Sequence, residues 1–126
     1  MVEYGLKDKV ALITGVNNPY GIGAATAIAF AREGAKLVLV YKKISRPFDE
    51  NKTDRHGVDR YYAANAGNAD AVERKLKEVG AEYILLESDI SDEDAVKDIY
   101  SDAIKRYGKV DILVNNAAAD DETGAD

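Results

Sequence analysis

Hydrophobic residues are grouped along this chain in short continuous runs, with longer and more polar segments between them. Four runs predict β-strands, at residues 10–14, 36–41, 82–87 and 110–115. Continuous apolar runs, as opposed to alternating ones, are typical of strands that are buried on both faces of a parallel sheet. The segments between them predict helices at residues 22–33, 70–79 and 92–107. The order β-α-β-α-β-α-β therefore predicts the α/β class.

Glycines mark the ends of the predicted helices. In the segments REGAKLVLV, EVGAEYILL and RYGKVDILV, a glycine separates a helical stretch from the strand that follows it. Glycine adopts the left-handed conformation without a Cβ clash, so Gly34, Gly80 and Gly108 are predicted to stop three helices. The last helix also has a start signal, because Ser91 and Asp94 have the spacing of a capping box.

Two polar segments break this pattern. Residues 42–65 are long for a connection between a strand and a helix, and they predict a flexible loop beside the carboxyl-terminal edge of the sheet. Residues 117–126 are small and acidic, and they predict a disordered tail. Residues 1–116 are therefore interpreted as the folded part of a single domain.

The composition narrows the classes of partner. The formal net charge of -6 and the isoelectric point near 4.8 disfavour nucleic acid and anionic membrane surfaces, because like charges repel. The chain has no cysteine, and no apolar stretch in it is long enough to span a membrane. These features predict a cytoplasmic protein that binds neither nucleic acid nor a membrane, and no metal site is predicted.

The segment TGVNNPYGIG, residues 14–23, places three glycines between the first predicted strand and an alanine-rich helix. In this context Gly15 permits a sharp turn, Gly21 allows a pyrophosphate to approach the backbone, and Gly23 lets the helix lie close to the sheet. The N-terminus of the helix then offers N–H groups and a partial positive charge to an anion. A dinucleotide site is predicted here; the alternative is a tight turn without a ligand.

Three motifs taken together carry a family resemblance. TGVNNPYGIG, SDIS at residues 88–91 and LVNNAA at residues 113–118 resemble the nucleotide-binding half of the short-chain dehydrogenase/reductase family. The resemblance implies a Rossmann-type doubly wound parallel sheet, of strand order 3-2-1-4, formed by residues 1–116. It also implies an NAD(P)-dependent oxidoreductase that moves a hydride between nicotinamide and a small carbonyl or alcohol, with a 3-oxoacyl-type ketone as one candidate substrate.

The resemblance assigns cofactor contacts to residues that follow each strand. Asp89 and Ile90 are expected at the adenine, and Asn115 and Asn116 are expected to hold the loop after the fourth strand against the sheet and the cofactor ribose. The full expected cofactor-binding set is Gly15, Asn17, Tyr20, Gly21, Ile22, Gly23, Tyr41, Lys42, Lys43, Asp89, Ile90, Asn115, Asn116 and Ala117. Alternatively, Asp89 only opens the turn before the last helix, and the asparagine pair is an ordinary turn.

Two positions depart from the family pattern. Five residues separate Gly15 from Gly21 where most members have three, so residues 17–20 form an enlarged loop. The larger spacing is similar to that of the enoyl-acyl-carrier-protein reductase branch, whereas LVNNAA is typical of ketoreductase-like members. Ala118 replaces a glycine of the motif, which destabilises the fold if that position needs a positive φ.

The end of the second strand bears on the choice of cofactor. An acidic residue at this place accepts from the ribose 2′-hydroxyl of NAD, whereas a cation binds the 2′-phosphate of NADP. Here the strand ends in Tyr41, Lys42 and Lys43, with no acid before Asp49. NADP(H) is therefore favoured over NAD(H), the alternative being that the lysines form only a solvated strand end.

The family's catalytic tyrosine has a lysine four residues later, and none of the eight tyrosines here has one. No catalytic residue is therefore assigned, and the remainder of the family domain is expected to lie beyond residue 126. An unpaired edge on the fourth strand predicts a homo-oligomer or association through that edge. Two alternatives stay open: a non-catalytic NADP(H)-binding module, and a flavodoxin- or receiver-like domain without a dinucleotide site.

Overall fold

The computed structural model describes residues 3–44, 47–54 and 56–118. Four β-strands lie in these ranges: β1 (Val10–Thr14), β2 (Lys36–Tyr41), β3 (Glu82–Glu87) and β4 (Ile112–Val114). Four α-helices lie between them: α1 (Ile22–Arg32), α2 (Val58–Ala66), α3 (Asp70–Glu78) and α4 (Glu93–Tyr107). A short 3₁₀ turn (Glu50–Lys52) precedes α2.

The strands form one parallel sheet in the order β3-β2-β1-β4, which confirms the predicted fold class and strand order. In β1, Ala11 is aligned with Leu37 of β2 on one side and with Ile112 of β4 on the other. The carboxyl ends of all four strands therefore lie along one edge of the sheet. Open α/β sheets bind their ligands at this edge.

The two faces of the sheet carry separate apolar clusters, because successive residues of a strand point to opposite sides. Leu37 and Leu39 of β2 join the cluster formed with α1 and α3, whereas Val38 and Val40 join the cluster formed with α4. All four side chains are fully buried. The continuous apolar run of β2 thus contributes buried side chains to the clusters on both faces of the sheet, as its sequence predicts.

The predicted glycine helix stops are confirmed. Gly34, Gly80 and Gly108 have φ angles of 82°, 70° and 79°, all in the left-handed region. The Gly108 amide donates to the Ile104 carbonyl oxygen at 2.8 Å and so closes the last turn of α4. A glycine at this position turns the chain back toward the sheet without the clash that a Cβ would cause.

The start of α4 differs from the prediction. Asp92, and not Ser91, is the N-cap residue, and its carboxylate accepts from the Asp94 amide at 3.0 Å. The Ser91 hydroxyl donates instead to the Asp89 carboxylate at 2.6 Å. A hydrogen bond to a charged acceptor is the stronger of the two. The predicted capping box is therefore wrong, and Ser91 belongs to the turn that holds Asp89.

The predicted flexible loop at residues 42–65 is also wrong in part, since it contains the 3₁₀ turn and most of α2. No described side chain of α2 is fully buried, so this helix lacks the apolar stripe by which a sequence predicts one. Polar contacts of Asn65 with the glycine turn hold its C-terminal end instead. Residues 119–126, and with them most of the predicted disordered tail, lie outside the described residues.

The fourth strand is shorter than predicted and covers only Ile112–Val114. Before it, the Asp111 carboxylate accepts from the Val10 amide at 2.9 Å, and the Lys109 ammonium lies 3.1 Å from the same oxygen. These two partners hold the pKa of Asp111 below its ordinary value. Val10, at the start of β1, thus donates to the Asp111 side chain, while its carbonyl oxygen accepts from the Asp111 backbone amide at 2.9 Å. None of the helices in the described ranges has the length and apolar character needed to cross a membrane.

Candidate functional site

Gly15 and Gly23 bring three segments together at the carboxyl edge of the sheet. After β1 the chain turns at Gly15, whose φ of 75° favours glycine. A Cβ on Gly15 would lie 2.9 Å from the Cα of Ala117, and a Cβ on Gly23 would lie 2.4 Å from the Gly15 carbonyl oxygen. Neither space admits a side chain, so α1 and the loop after β4 approach the turn at backbone contact distance.

Thr14 and Asn116 hold this arrangement in place. The Thr14 hydroxyl accepts from the backbone amides of Asn116 and Ala117, at 3.1 and 3.0 Å. The Asn116 side-chain amide donates in return to the carbonyl oxygens of Thr14 and Gly15, at 3.2 and 3.1 Å. Thr14 is only 4% exposed, so water competes little for its hydroxyl. The loop after β4 is thereby fixed against the glycine turn.

Ala118, which stands where the family motif has a glycine, follows this loop. Asp8 is the only non-glycine residue with a positive φ among the residues that the structure describes. Ala118 therefore does not adopt the conformation that would favour glycine, and the substitution carries no backbone strain here.

The enlarged loop of the glycine turn is anchored to α2. Asn17 and Asn18 are each 5% exposed. The Asn17 side-chain amide donates to the carbonyl oxygens of Asn65 and Gly67, both at 3.0 Å. The Asn18 side-chain amide donates to the side-chain oxygen of Asn65 at 3.2 Å. The wide glycine spacing thus accommodates two buried asparagines that fasten the turn to the C-terminal end of α2.

Tyr20 lies on the exposed side of the same loop. The Asn18 side-chain oxygen accepts from the Tyr20 amide at 2.9 Å, and this bond shapes the approach to α1. The Tyr20 side chain is 62% exposed, and the Arg60 guanidinium lies 4.1 Å from the centroid of its ring. A cation–π contact therefore joins a second α2 residue to the glycine turn.

The N-terminus of α1 lacks a capping partner. Gly21 is its N-cap residue, and no side chain in the described part of the chain caps the helix. The first turn of α1 has no acidic residue, whereas Asp59, Asp70 and Glu93 occupy the first turns of α2, α3 and α4. The first amides of α1 and the positive end of its dipole are thus available to an external anion.

Two adjoining clefts run along the carboxyl edge beside this helix end. The first, which we call the glycine-turn cleft, has a volume of about 410 Å³ and is lined by the turn together with Asn65 and Asn116. The second, which we call the strand-end cleft, has a volume of about 580 Å³ and is lined by the ends of β2 and β3. The residues shared by both clefts are Gly15, Lys42, Ile44, Ala117 and Ala118. The two clefts together can hold one extended ligand.

Asp89 is the acidic group of the strand-end cleft. The Ser91 hydroxyl and amide donate to one carboxylate oxygen at 2.6 and 2.9 Å, and the Lys42 ammonium lies 2.9 Å from the other. These contacts, first those of the Ser91 hydroxyl and then those of Lys42, hold the pKa of Asp89 well below its ordinary value. The carboxylate is therefore ionised at neutral pH, and it can accept a hydrogen bond from a ligand amine.

Tyr41 lines the strand-end cleft but belongs to the core. Its side chain is 9% exposed, and its hydroxyl lies 3.4 Å from a carboxylate oxygen of Glu87. Burial, followed by the charge of Glu87, raises the pKa of Tyr41. The hydroxyl therefore stays protonated at neutral pH, and Tyr41 supplies an apolar wall at this point.

Comparison with known proteins identifies the family. A sequence model of the family described as short chain dehydrogenase matches residues 52–125, which is more than half of the chain. This chain belongs to the short-chain dehydrogenase family. The matched region contains β3, α4 and β4 and begins after the glycine turn.

Individual relatives also cover the glycine turn. General stress protein 39 of Bacillus subtilis (strain 168) is 33% identical over 112 residues, which make up 89% of this chain and 31% of that protein. L-Sorbose reductase from Gluconobacter frateurii, solved with NADPH and L-sorbose, is 29% identical with a TM-score of 0.66, covering 95% of this chain and 37% of its own. NADH-dependent reductase A1-R′, solved with NAD, is 30% identical with a TM-score of 0.60, and the match covers 90% of this chain and 38% of that protein. The chain therefore spans about a third of the length of these relatives.

The structure brings most of the predicted site residues together. Those that line one or both clefts are Gly15, Asn17, Tyr20, Gly21, Ile22, Tyr41, Lys42, Lys43, Asp89, Ile90, Asn116 and Ala117. Gly23 lies beneath the turn, where it sets the approach of α1. Asn115 is exposed and lines neither cleft. The Asn17 side-chain amide is engaged within the protein.

Of the cleft residues that the sequence reasoning missed, four take part in the hydrogen bonds that hold the site together. Thr14 and Asn18 lie within the glycine motif. Buried polar side chains are almost always hydrogen-bonded, so the polar residues of this motif could have been expected to anchor it. Ile44 and Asn65 lie in the segment predicted to be a flexible loop. No local signal marks these two residues, because their partners are distant in sequence.

Proposed function

We propose that this short-chain dehydrogenase binds a nicotinamide adenine dinucleotide along the two clefts, through residues 1–116. The chain would supply the cofactor site of an oxidoreductase that moves a hydride between nicotinamide and a small carbonyl or alcohol. The relatives solved with NADPH and with NAD support the cofactor class. A 3-oxoacyl-type ketone stays a prediction from the family resemblance.

The observation that carries the proposal is the uncapped N-terminus of α1. It lies at the glycine turn, and it is the one first turn among the α-helices of the described ranges without an acidic residue. A diphosphate provides the anion that such a helix end binds. The glycine-turn cleft is contiguous with the strand-end cleft, so the diphosphate would continue into an adenosine.

The residues of the strand-end cleft fit the adenosine half. The ionised Asp89 would accept a hydrogen bond from the adenine amine, and Ile90, with 41% of its surface exposed, would cover the base. Asn116 would contribute by positioning the glycine turn, since its side-chain amide donates to the carbonyl oxygens of Thr14 and Gly15. The nicotinamide, when bound, supplies or accepts the hydride. No residue of this chain is assigned to the proton transfer.

NADP(H) is the proposed cofactor because of the two lysines after β2. The charged residues that line the strand-end cleft are Lys42, Lys43 and Asp89, which sum to a charge of +1. Lys42 already lies 2.9 Å from Asp89. Both lysines are exposed, and because Lys42 is paired with Asp89, Lys43 is the better placed of the two to meet a 2′-phosphate.

Calorimetric titration with NADPH and NADH tests the cofactor preference. We expect NADPH to bind more tightly, and we expect Lys43→Gln to lower its affinity about fivefold, because a solvent-exposed ion pair contributes up to about 1 kcal/mol. The same substitution should leave NADH affinity within about twofold. Lys36→Gln, at the opposite end of β2, is the control and should change neither affinity. Equal or weaker NADPH binding would overturn the preference, and no binding of either cofactor would overturn the proposed function.

The outer edge of β4 is proposed as a surface for association. Among the strands of the described ranges β4 pairs with β1 alone, and Leu113 is 48% exposed. An unpaired apolar edge favours pairing with another chain. In sedimentation equilibrium we expect the 126-residue chain to form dimers or larger species, and we expect Leu113→Lys to shift it toward monomer. A strictly monomeric chain at high concentration would contradict this.

A further inference from the structure

Asn65, the penultimate residue of α2, connects two segments that are far apart in sequence. Its carbonyl oxygen accepts from the Asn17 side-chain amide at 3.0 Å and from the Ile44 backbone amide at 2.9 Å. Its side-chain oxygen accepts from the Asn18 side-chain amide at 3.2 Å. One residue therefore receives hydrogen bonds from the glycine turn and from the chain that leaves β2.

Both of these segments line the glycine-turn cleft. Asn17 and Asn18 belong to the wall formed by the turn, and Ile44 belongs to the wall that continues from β2. Asn65 lines the same cleft and is bonded to both segments. The hydrogen bonds of Asn65 thus link the two segments that line the cleft proposed for the diphosphate.

We propose that Asn65 is a positioning residue for the dinucleotide and that it holds the enlarged glycine turn at the width of a diphosphate. The inference rests on the proposed function, since it concerns the same cleft. A loop with extra residues loses more conformational entropy when a ligand orders it, and this loss weakens binding. Anchoring the loop to α2 beforehand removes that cost. Asn17 and Asn18 are each 5% exposed, so water cannot readily replace their partners.

The inference predicts that loss of the Asn65 side chain affects two classes of ligand differently. A nucleoside monophosphate such as 2′-AMP would occupy the strand-end cleft, which Asn65 does not line. A full dinucleotide would also cross the glycine-turn cleft, which Asn65 does line. Loss of the Asn65 side chain should therefore weaken the dinucleotide and leave the monophosphate unaffected, whereas general destabilisation of the fold would weaken both.

Calorimetry on the complete gene product tests this, with NADPH and 2′-AMP as probes, or NADH and 5′-AMP if the wild type prefers NADH. We expect Asn65→Ala to weaken dinucleotide binding roughly 5- to 10-fold, which is the effect of one lost hydrogen bond to the turn. Monophosphate binding should stay within about twofold. Asn68→Ala is the matched control, because the Asn68 side-chain oxygen accepts from the Asp70 amide at 3.1 Å and the residue lines neither cleft. It should leave both affinities unchanged.

Amide hydrogen exchange gives a readout that needs no cofactor. Exchange at the Tyr20 and Gly21 amides, which are bonded to Asn18, should be faster in Asn65→Ala than in Asn68→Ala. Should Asn65→Ala fail to fold, Asn65→Gln, which moves the amide oxygen by one methylene, takes its place. Unchanged dinucleotide affinity, or an equal loss of affinity for the dinucleotide and the monophosphate, would overturn the inference. Neither result would contradict the proposed function. A wild type that binds neither probe would overturn both.

Discussion

Gly23→Ala is expected to lower the free energy of unfolding by about 3 kcal/mol, the upper part of the range for overpacked sites. The new Cβ would lie 2.4 Å from the Gly15 carbonyl oxygen and 2.6 Å from the Asn116 side-chain nitrogen. These two atoms are themselves hydrogen-bonded at 3.1 Å, so neither can withdraw without breaking that bond. The helix α1 must instead move away from β1. Urea unfolding followed by circular dichroism measures the loss.

The same displacement should abolish dinucleotide binding, because the N-terminus of α1 would leave the cleft. Gly67→Ala is the matched control: Gly67 has a φ of -82°, and a Cβ there would meet no atom closer than the Ala64 carbonyl oxygen at 3.5 Å. An alanine fits this conformation and should change stability by less than about 1 kcal/mol, in the stabilising direction. If Gly67→Ala lowered the free energy of unfolding as much as Gly23→Ala, lack of space for a Cβ would not explain the effect at Gly23.

Thr14→Val is expected to cost about 2 kcal/mol of folding stability, because it removes the shared acceptor of two backbone amides without changing the side-chain shape. Asn116 and Ala117 would both lose the partner that lies 3.1 and 3.0 Å away. Their loop forms a wall of both clefts, so dinucleotide affinity should also fall, roughly tenfold. Denaturant unfolding and calorimetric titration measure the two effects.

Thr14→Ser distinguishes the hydroxyl from the packing of the same side chain. Serine keeps the acceptor and loses one methyl group, so we expect a cost of about 1 kcal/mol and nearly unchanged dinucleotide affinity. If serine and valine weakened binding equally, the hydrogen bonds to the loop after β4 would not be what positions it.

Much of the fold could be predicted because its signals are local. The apolar runs placed β1, β2 and β3 at the observed residues, and their continuity indicated a parallel sheet. Gly34, Gly80 and Gly108 stop helices through a conformational preference that each glycine carries on its own. The glycine spacing similarly indicated a strand, a turn and a helix that meet at backbone distance.

The errors occurred where a local signal competed with a neighbouring charge or was absent. Ser91 has the spacing of a cap, yet the nearby Asp89 carboxylate takes its hydroxyl. The helix α2 was predicted as loop because residues 42–65 are polar and long for a connection, and in the structure no described side chain of α2 is fully buried. The pattern of hydrophobic residues reports burial, and a helix held by polar contacts therefore leaves no periodic trace.

The sequence by itself determined the class of fold, the strand order through the family resemblance, and the glycine turn in front of α1. Only the tertiary structure decided how the enlarged turn is held. Asn17 and Asn18 bond to residues 47 to 50 positions away, across a segment whose path no local pattern specifies. Hydrogen bonds between distant polar residues depend on where the whole chain places them, whereas hydrophobic periodicity and glycine conformation are properties of the segment itself.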